Sequence, residues 1–284
     1  MKWNLLMVKN TIRNIIKPAV SHLVFMVAIG VGVVANAGGV QPLPDLQKAI
    51  SEVTSLYGEK SVWADKQFQV QKFYYQIQSK SQKLKILNEV KEHFEKAVVK
   101  AEENFNSDEG EVSQSAITKL KLGLAGTLND IVELESQKKI ARLSLALISK
   151  NTYSADREMS DLEITPVEFS FKNYDEWFKV SGLVLRNEET SSGTFADEVA
   201  LNTAYLKSEE NQAKLDIAKN NRKITRALLV SEVANYDFGI GDPADLFEAL
   251  IIYTRVLSGY YDSVYNFNLA VADLNRMKAS WIGI

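Results

Sequence analysis

The sequence has no cysteine and only two histidines, His22 and His93. Without cysteine the chain forms no disulfide, so its stability must come from burial of side chains and from assembly. His93 stands alone in the middle of a predicted helix. A lone histidine of this kind, in a chain without cysteine, is far more often packed or solvated than catalytic or bound to a metal. These absences argue against an enzyme and against a metal or other cofactor.

Long apolar runs are scarce, and the one at residues 18–34 lies near the N-terminus. Four basic residues precede it, namely Lys2, Lys9, Arg13 and Lys17. Ala35, Asn36 and Ala37 follow it as a small-x-small site. The pattern predicts a secretory signal peptide over residues 1–37, cleaved after Ala37. An uncleaved inner-membrane anchor is the alternative, although the run is short for a spanning helix.

Acidic residues outnumber basic ones in the rest of the chain. Removing residues 1–37 removes four of the 33 basic residues and none of the 36 acidic ones. The mature chain therefore has 29 basic residues and a net charge of −7. Because nucleic-acid binding requires a basic face, we expect no nucleic-acid partner.

The sequence is instead rich in helical patterns with heptad spacing. In the last helix, nine seam residues follow one another at alternating intervals of four and three: Leu246, Leu250, Tyr253, Leu257, Tyr260, Val264, Phe267, Val271 and Leu274. This unbroken heptad is typical of helices that pack as coiled coils. The second helix repeats the pattern from Ile117 to Ile148, with interruptions at Thr127 and Lys138.

Two further long helices are predicted. The first extends from about 60 to 105, and its seam includes Ile77, Leu87, Phe94 and Phe105. The third extends from about 195 to 236, and its seam is diluted by Ser208, Asn211 and Arg222. A diluted seam fits either a helix that faces a water-filled space or a helix pair with a thin core, and both interpretations stay open.

Loop-forming residues divide these helices into two pairs. Ser113 is an expected N-cap after the first loop, and Gly239 or Gly241 can adopt the left-handed conformation that ends the third helix. Asp242 is then the N-cap of the last helix, with Pro243 at its first position. The sequence thus predicts an all-α fold of two long antiparallel coiled-coil hairpins, with little β structure. The hairpins span 60–150 and 195–276, beside an N-terminal helical segment (38–59), a connecting segment (151–194) and a tail (277–284).

The last hairpin resembles that of the TolC family of outer-membrane efflux proteins. Residues 228–276 read LLVSEVANYDFGIGDPADLFEALIIYTRVLSGYYDSVYNFNLAVADLNR. The residues that fit the family pattern are Tyr236, Gly239, Asp245, Leu246, Ala249, Tyr260, Tyr265, Ala270 and Leu274. The first hairpin resembles the corresponding family helices, so the resemblance covers about 60–150 and 200–276.

This resemblance implies a passive export tunnel in the outer membrane or periplasm of a Gram-negative bacterium. In that family the protomers form a trimer, and the hairpin tips form the entrance that docks on a periplasmic adaptor of a tripartite pump. The implied tip and gate residues are Tyr236, Asp237, Gly239, Gly241 and Asp242, with Asn106, Asp108 and Gly110 at the other tip. Tyr236 would occupy the inward-facing gate position, and a plain hydrophobic contact at the hairpin end is the alternative.

The sequence departs from the family in the parts that would supply membrane-spanning strands. Each such strand needs about 9–11 residues of alternating pattern. The only strand candidates in the connecting segment are EFSF at 168–171 and KVSGLVL at 179–185. The barrel part is therefore expected to be shortened or lost. This leaves a second hypothesis, a barrel-less periplasmic coiled-coil protein that serves in scaffolding or assembly without transport activity.

Overall fold

The computed structural model describes most of the chain after residue 42. The described residues are 43–59, 62–107, 112–150, 153, 159, 162–183 and 194–282. The signal peptide predicted over 1–37 lies outside them. Residues from Val40 onward form one compact unit.

Six helices occupy the described residues: α1 (Leu46–Ser55), α2 (Trp63–Asn106), α3 (Gln114–Ile148), α4 (Tyr174–Val180), α5 (Thr194–Asp237) and α6 (Pro243–Ile282). The four long helices α2, α3, α5 and α6 are those that the heptad patterns predict, so the predicted helical hairpin fold is confirmed. With 44 residues each, α2 and α5 are about 65 Å long.

The long helices form a layer in the order α3–α2–α6–α5. Extensive packing joins α2 to α3, α2 to α6 and α5 to α6, which leaves α3 and α5 at the two edges. All nine predicted seam residues of α6 are buried, because α6 is covered by neighbours on both sides. Phe105 departs from its predicted seam position. It lies in the last turn of α2 and is 45% exposed.

Part of the connecting segment lies against one face of this layer as extended chain. The amide of Asn268 in α6 accepts a hydrogen bond from the Val167 N–H at 2.9 Å and donates to the Thr165 carbonyl at 2.8 Å. The amide of Gln212 in α5 donates to the Phe169 carbonyl at 3.0 Å. Side chains of the layer therefore satisfy backbone groups that a neighbouring strand would otherwise pair.

The two strand candidates of the connecting segment are wrong for the residues that the structure describes. Residues 168–171 are extended but unpaired with another strand. Lys179 and Val180 end helix α4 instead. This helix forms because Asn173 Oδ1 accepts a hydrogen bond from the Glu176 N–H at 2.9 Å, and acidic residues occupy its first turn. Residues 184–185 lie outside the described residues.

Candidate functional site at the hairpin tips

The sharp turn between α5 and α6 depends on two glycines in different ways. Gly239 has φ +77°, and its N–H donates to the Tyr236 carbonyl at 3.1 Å. This left-handed residue ends α5, as expected for glycine after a helix. Gly241 does not adopt the left-handed conformation. A Cβ there would lie 2.8 Å from the Tyr236 nitrogen, so close backbone approach requires this glycine.

The return helix starts at the predicted residue. Asp242 Oδ1 accepts a hydrogen bond from the Ala244 N–H at 2.6 Å, and the Asp242 carbonyl accepts from the Asp245 and Leu246 N–H groups. Pro243 is the first residue of α6, where its missing N–H costs nothing. The two glycines, Asp242 and Pro243 thus specify the reversal locally.

Tyr236 is enclosed between α5 and α2. The side chain is 5% exposed, and its hydroxyl donates to the Ala97 carbonyl at 2.9 Å. Burial raises the pKa of Tyr236 to about 12, and the charge of Asp237 adds to the rise. A ring in this position fills the space between helices. The geometry within one protomer therefore favours the hydrophobic contact over the gate, the two roles that the sequence left open for Tyr236.

Lys100 ties the end of α5 to α2. Its Nζ donates to the Tyr236 carbonyl at 2.6 Å and to the Asp237 carbonyl at 2.9 Å. The same ammonium lies 5.1 Å from the centre of the Tyr236 ring. A cation at the C-terminal end of a helix also interacts favourably with the helix dipole. One lysine of the first hairpin therefore holds the backbone and the ring of the second.

Two tip residues that the sequence analysis missed are apolar and exposed. Phe238 and Ile240 flank Gly239 and are 81% and 79% exposed. The signal was present in the sequence, because a turn between helices normally carries polar residues at such positions. Their exposure gives this tip an apolar surface.

The tip of the first hairpin is described in part. Asn106 is the last residue of α2, and its amide donates to the Glu102 carbonyl at 2.7 Å. Ser113 caps α3 by accepting from the Ala116 N–H at 3.1 Å. Asp108 and Gly110 lie outside the described residues.

An open cleft of about 790 Å³ separates the two tips. Lys100, Asn104 and Ser107 line it on the first hairpin, and residues 239–243 line it on the second. Among the described residues, no group of three His, Cys, Asp or Glu side chains is placed to hold a metal ion. The walls of the cleft are mainly polar, and Ile240 is an exposed apolar residue in its lining.

No protein-family profile and no curated protein matches the sequence. Solved structures do match. The outer-membrane channel OprN aligns with a TM-score of 0.61 and 13% identity over 83% of this chain and 71% of its own. CusC, whose structures concern conformational changes that accompany folding and transmembrane channel formation, aligns with a TM-score of 0.59 and 11% identity. The alignment covers 82% of this chain and 74% of CusC. A membrane protein from Pseudomonas aeruginosa aligns with a TM-score of 0.54 and 12% identity, over 82% of this chain and 74% of its own.

The chain has the TolC-family fold. The resemblance seen in the hairpin motifs is thus confirmed at the level of the fold, which is what a likeness at 11–13% identity can show. The neighbours with this TolC-like fold are channel and membrane proteins by description. Within the described residues, none of the helices is both long enough and apolar enough to cross a membrane.

Proposed function

We propose that this chain is one protomer of a trimeric export tunnel in the outer membrane of a Gram-negative bacterium. The tunnel is passive, and its tips dock on the periplasmic adaptor of a tripartite pump. The observation that carries the proposal is that both edges of the four-helix layer present exposed apolar stripes.

The first stripe lies on α3. Its members are more than half exposed and share one helix face: Leu122, Val132, Ile140, Leu143 and Leu147. The opposite face of α3 carries Leu120, Ala141 and Leu145, which are buried against the layer. An apolar stripe of this length on an edge helix indicates a surface that packs against protein.

The second stripe lies on α5, at the other edge. Its members are about half exposed or more and again share one face: Val199, Leu206, Ile217 and Ile224. The α3 and α5 stripes are different surfaces, so contact between them is head-to-tail. Head-to-tail contacts form a closed ring when the rotation that relates one protomer to the next is a whole fraction of a full turn. Burial of both stripes would contribute on the order of 10 kcal/mol per contact, before the cost of association.

The two stripes also match in height, which cyclic symmetry requires. Gly123 of α3 lies beside the Phe94 ring, and Tyr236 of α5 binds Ala97, one turn further along α2. At 1.5 Å per residue, Ile140 and Ile217 then lie about 26 and 24 Å from the level of Phe94. Ile140 of one protomer therefore faces Ile217 of the next.

The connecting segment determines which face of the layer turns inward. It covers the face that carries Asn268 and Gln212. The opposite face is the one that can line a tunnel, and exposed polar residues such as Arg255 and Asn266 lie on the uncovered side of α6. Phe238 and Ile240 would then meet the adaptor at the tip.

One observation favours the second candidate function, a periplasmic scaffold with the same ring and no transport activity. Residues 162–183 are extended chain and helix α4, and they contribute no paired strand. A ring that fractionates with the periplasm and gives no conductance in a planar bilayer would support this scaffold over the tunnel.

Sedimentation of the mature chain tests the proposed assembly. We expect a trimer at micromolar concentrations, and monomers from Ile140→Glu or Ile217→Glu, because each places a charge in the contact. Val99→Glu is the matched control, since Val99 is also about half exposed but lies on α2, which forms neither edge of the layer. A wild-type chain that stays monomeric, or a control that dissociates as readily as Ile140→Glu, would contradict the proposal.

A further inference from the structure

A cluster of four basic residues lies midway along α5, in a chain whose mature part is acidic. Lys219, Arg222, Lys223 and Arg226 are spaced three, one and three residues apart, which places them on one helix face within about 10 Å. With Asn220 and Tyr260 they line a cleft of about 580 Å³. The cluster lies on the same face of α5 as Gln212, about two turns closer to the hairpin tip. At Gln212 the connecting segment covers this face.

Arg222 occupies a position where an apolar residue would be expected. It stands one heptad after Leu215 and one before Leu229, and both leucines are buried. Its guanidinium lies 4.7 Å from the centre of the Tyr260 ring. A cation–π contact with a buried aromatic ring holds a guanidinium over the face of the ring and leaves its N–H groups available to a further partner. Arg222 is therefore held in place inside the cleft.

The positive charge of this cluster is largely uncompensated. Lys219 pairs with Asp216 at 2.9 Å, and Asp216 also lines the cleft. Within the part of the chain that the structure describes, no ion pair joins Arg222, Lys223 or Arg226 to a carboxylate. Lys214, on another face of the same helix, does pair with Glu210. A cleft with about three unneutralised cations attracts a multiply charged anion more strongly than a single carboxylate.

We propose that this cleft binds phosphate groups, with Arg222 and Arg226 as the principal ligands and Lys219 and Lys223 as supporting charges. Guanidinium groups form paired hydrogen bonds with phosphate oxygens, and the ammonium groups add charge without directional demands. The phosphate comes from a soluble phosphorylated compound or from a lipid headgroup. The site lies within one protomer and does not depend on the proposed tunnel.

Isothermal titration calorimetry of the mature chain with inorganic pyrophosphate at low ionic strength tests the site. We expect saturable binding that Arg222→Gln/Arg226→Gln weakens by about tenfold or more. Lys223→Gln/Arg226→Gln leaves the stacked Arg222 intact and should weaken binding to a lesser extent, so a folding defect at Arg222 does not decide the result. Lys207→Gln/Lys214→Gln makes the same change in charge elsewhere on α5 and should leave the affinity within about twofold.

Two further binding experiments test the chemical class and the source of the ligand. Glutarate, a dicarboxylate, should bind more weakly than pyrophosphate, and tighter binding of glutarate would overturn the assignment to phosphate. Vesicles of phosphatidylcholine with phosphatidic acid test the lipid source, because binding that the double arginine variant abolishes assigns the phosphate to a headgroup. Pyrophosphate binding without vesicle binding assigns it to a soluble compound. No binding of pyrophosphate by the wild-type chain, or equal loss in the control variant, would refute the site.

Discussion

The ammonium group of Lys100 and the backbone carbonyl of Tyr236 lie 2.6 Å apart, although 136 residues separate them in sequence. This hydrogen bond joins the first hairpin to the second within a few turns of their tips. If the tips form the entrance of a tunnel, movement of one hairpin relative to the other must break this contact. The contact therefore links the local structure of a turn to the state of the entrance.

Replacement of Lys100 should loosen the entrance without unfolding the hairpins. Lys100→Met keeps the aliphatic stem and removes both hydrogen bonds to α5, which contribute on the order of 1–3 kcal/mol together. We expect increased dye leakage in cells that express the variant, with unchanged helicity by circular dichroism. Lys96→Met, on an exposed position one turn earlier, is the control. Equal leakage from both variants would show that Lys100 has no special role.

Variants of Tyr236 distinguish packing from gating. Tyr236→Ala removes a buried ring and should lower the free energy of unfolding by about 3–5 kcal/mol, as for other large-to-small core changes. Tyr236→Phe removes only the hydrogen bond to Ala97 and should cost about 1 kcal/mol. Urea denaturation measures both. Dye leakage from Tyr236→Ala with an unchanged urea midpoint would instead support the gate that the family resemblance implies.

Alkaline pH should destabilise the protein through its buried tyrosines. Burial raises the pKa of Tyr75, Tyr236 and Tyr253 from 10.0 to about 12. A raised pKa means that these groups contribute their stability fully below pH 10 and lose it as the pH rises towards 12. We expect the free energy of unfolding to fall across that window, and Tyr236→Phe to reduce the slope. An identical slope in the variant would contradict the burial of this hydroxyl.

The two glycines of the tip turn should respond differently to alanine. Gly239→Ala meets open space and costs only the left-handed conformation, about 1 kcal/mol. Gly241→Ala places a Cβ 2.8 Å from the Tyr236 nitrogen, so the turn must shift and the loss should be larger. Gly239→Asn is the conservative control, because asparagine tolerates positive φ. Urea midpoints in the reverse order would contradict the close backbone approach at Gly241.

The long helices were predictable because their signal is local. The seam of α6 repeats without a break, and a helix packed on both sides must bury every seam residue. The exposure of Phe105 was harder to predict, because burial at a helix end depends on how far the neighbouring helices extend. Residues 168–171 were mistaken for a strand because the amide of Gln212, distant in sequence, supplies the Phe169 carbonyl with the partner that a neighbouring strand would have supplied.

The site was harder to predict than the fold for the same reason. The turn residues Gly239 and Asp242 follow from local rules. The contacts of Lys100 with Tyr236, and of Arg222 with Tyr260, join separate helices and leave no local pattern. Phe238 and Ile240 did carry a signal, as apolar residues in a turn.

Disulfide cross-linking tests the closed ring most directly, because the chain has no cysteine of its own. Ile140→Cys and Ile217→Cys are combined in one chain, where they lie on opposite edges of the layer and meet only between protomers. Oxidation should give a covalent product of three chains on a non-reducing gel. Leu122→Cys with Ile217→Cys is the control, since Leu122 lies on the same stripe about 27 Å lower, and it should stay monomeric. A monomer from the first pair, a ladder that extends beyond three chains, or equal cross-linking in the control would contradict the ring.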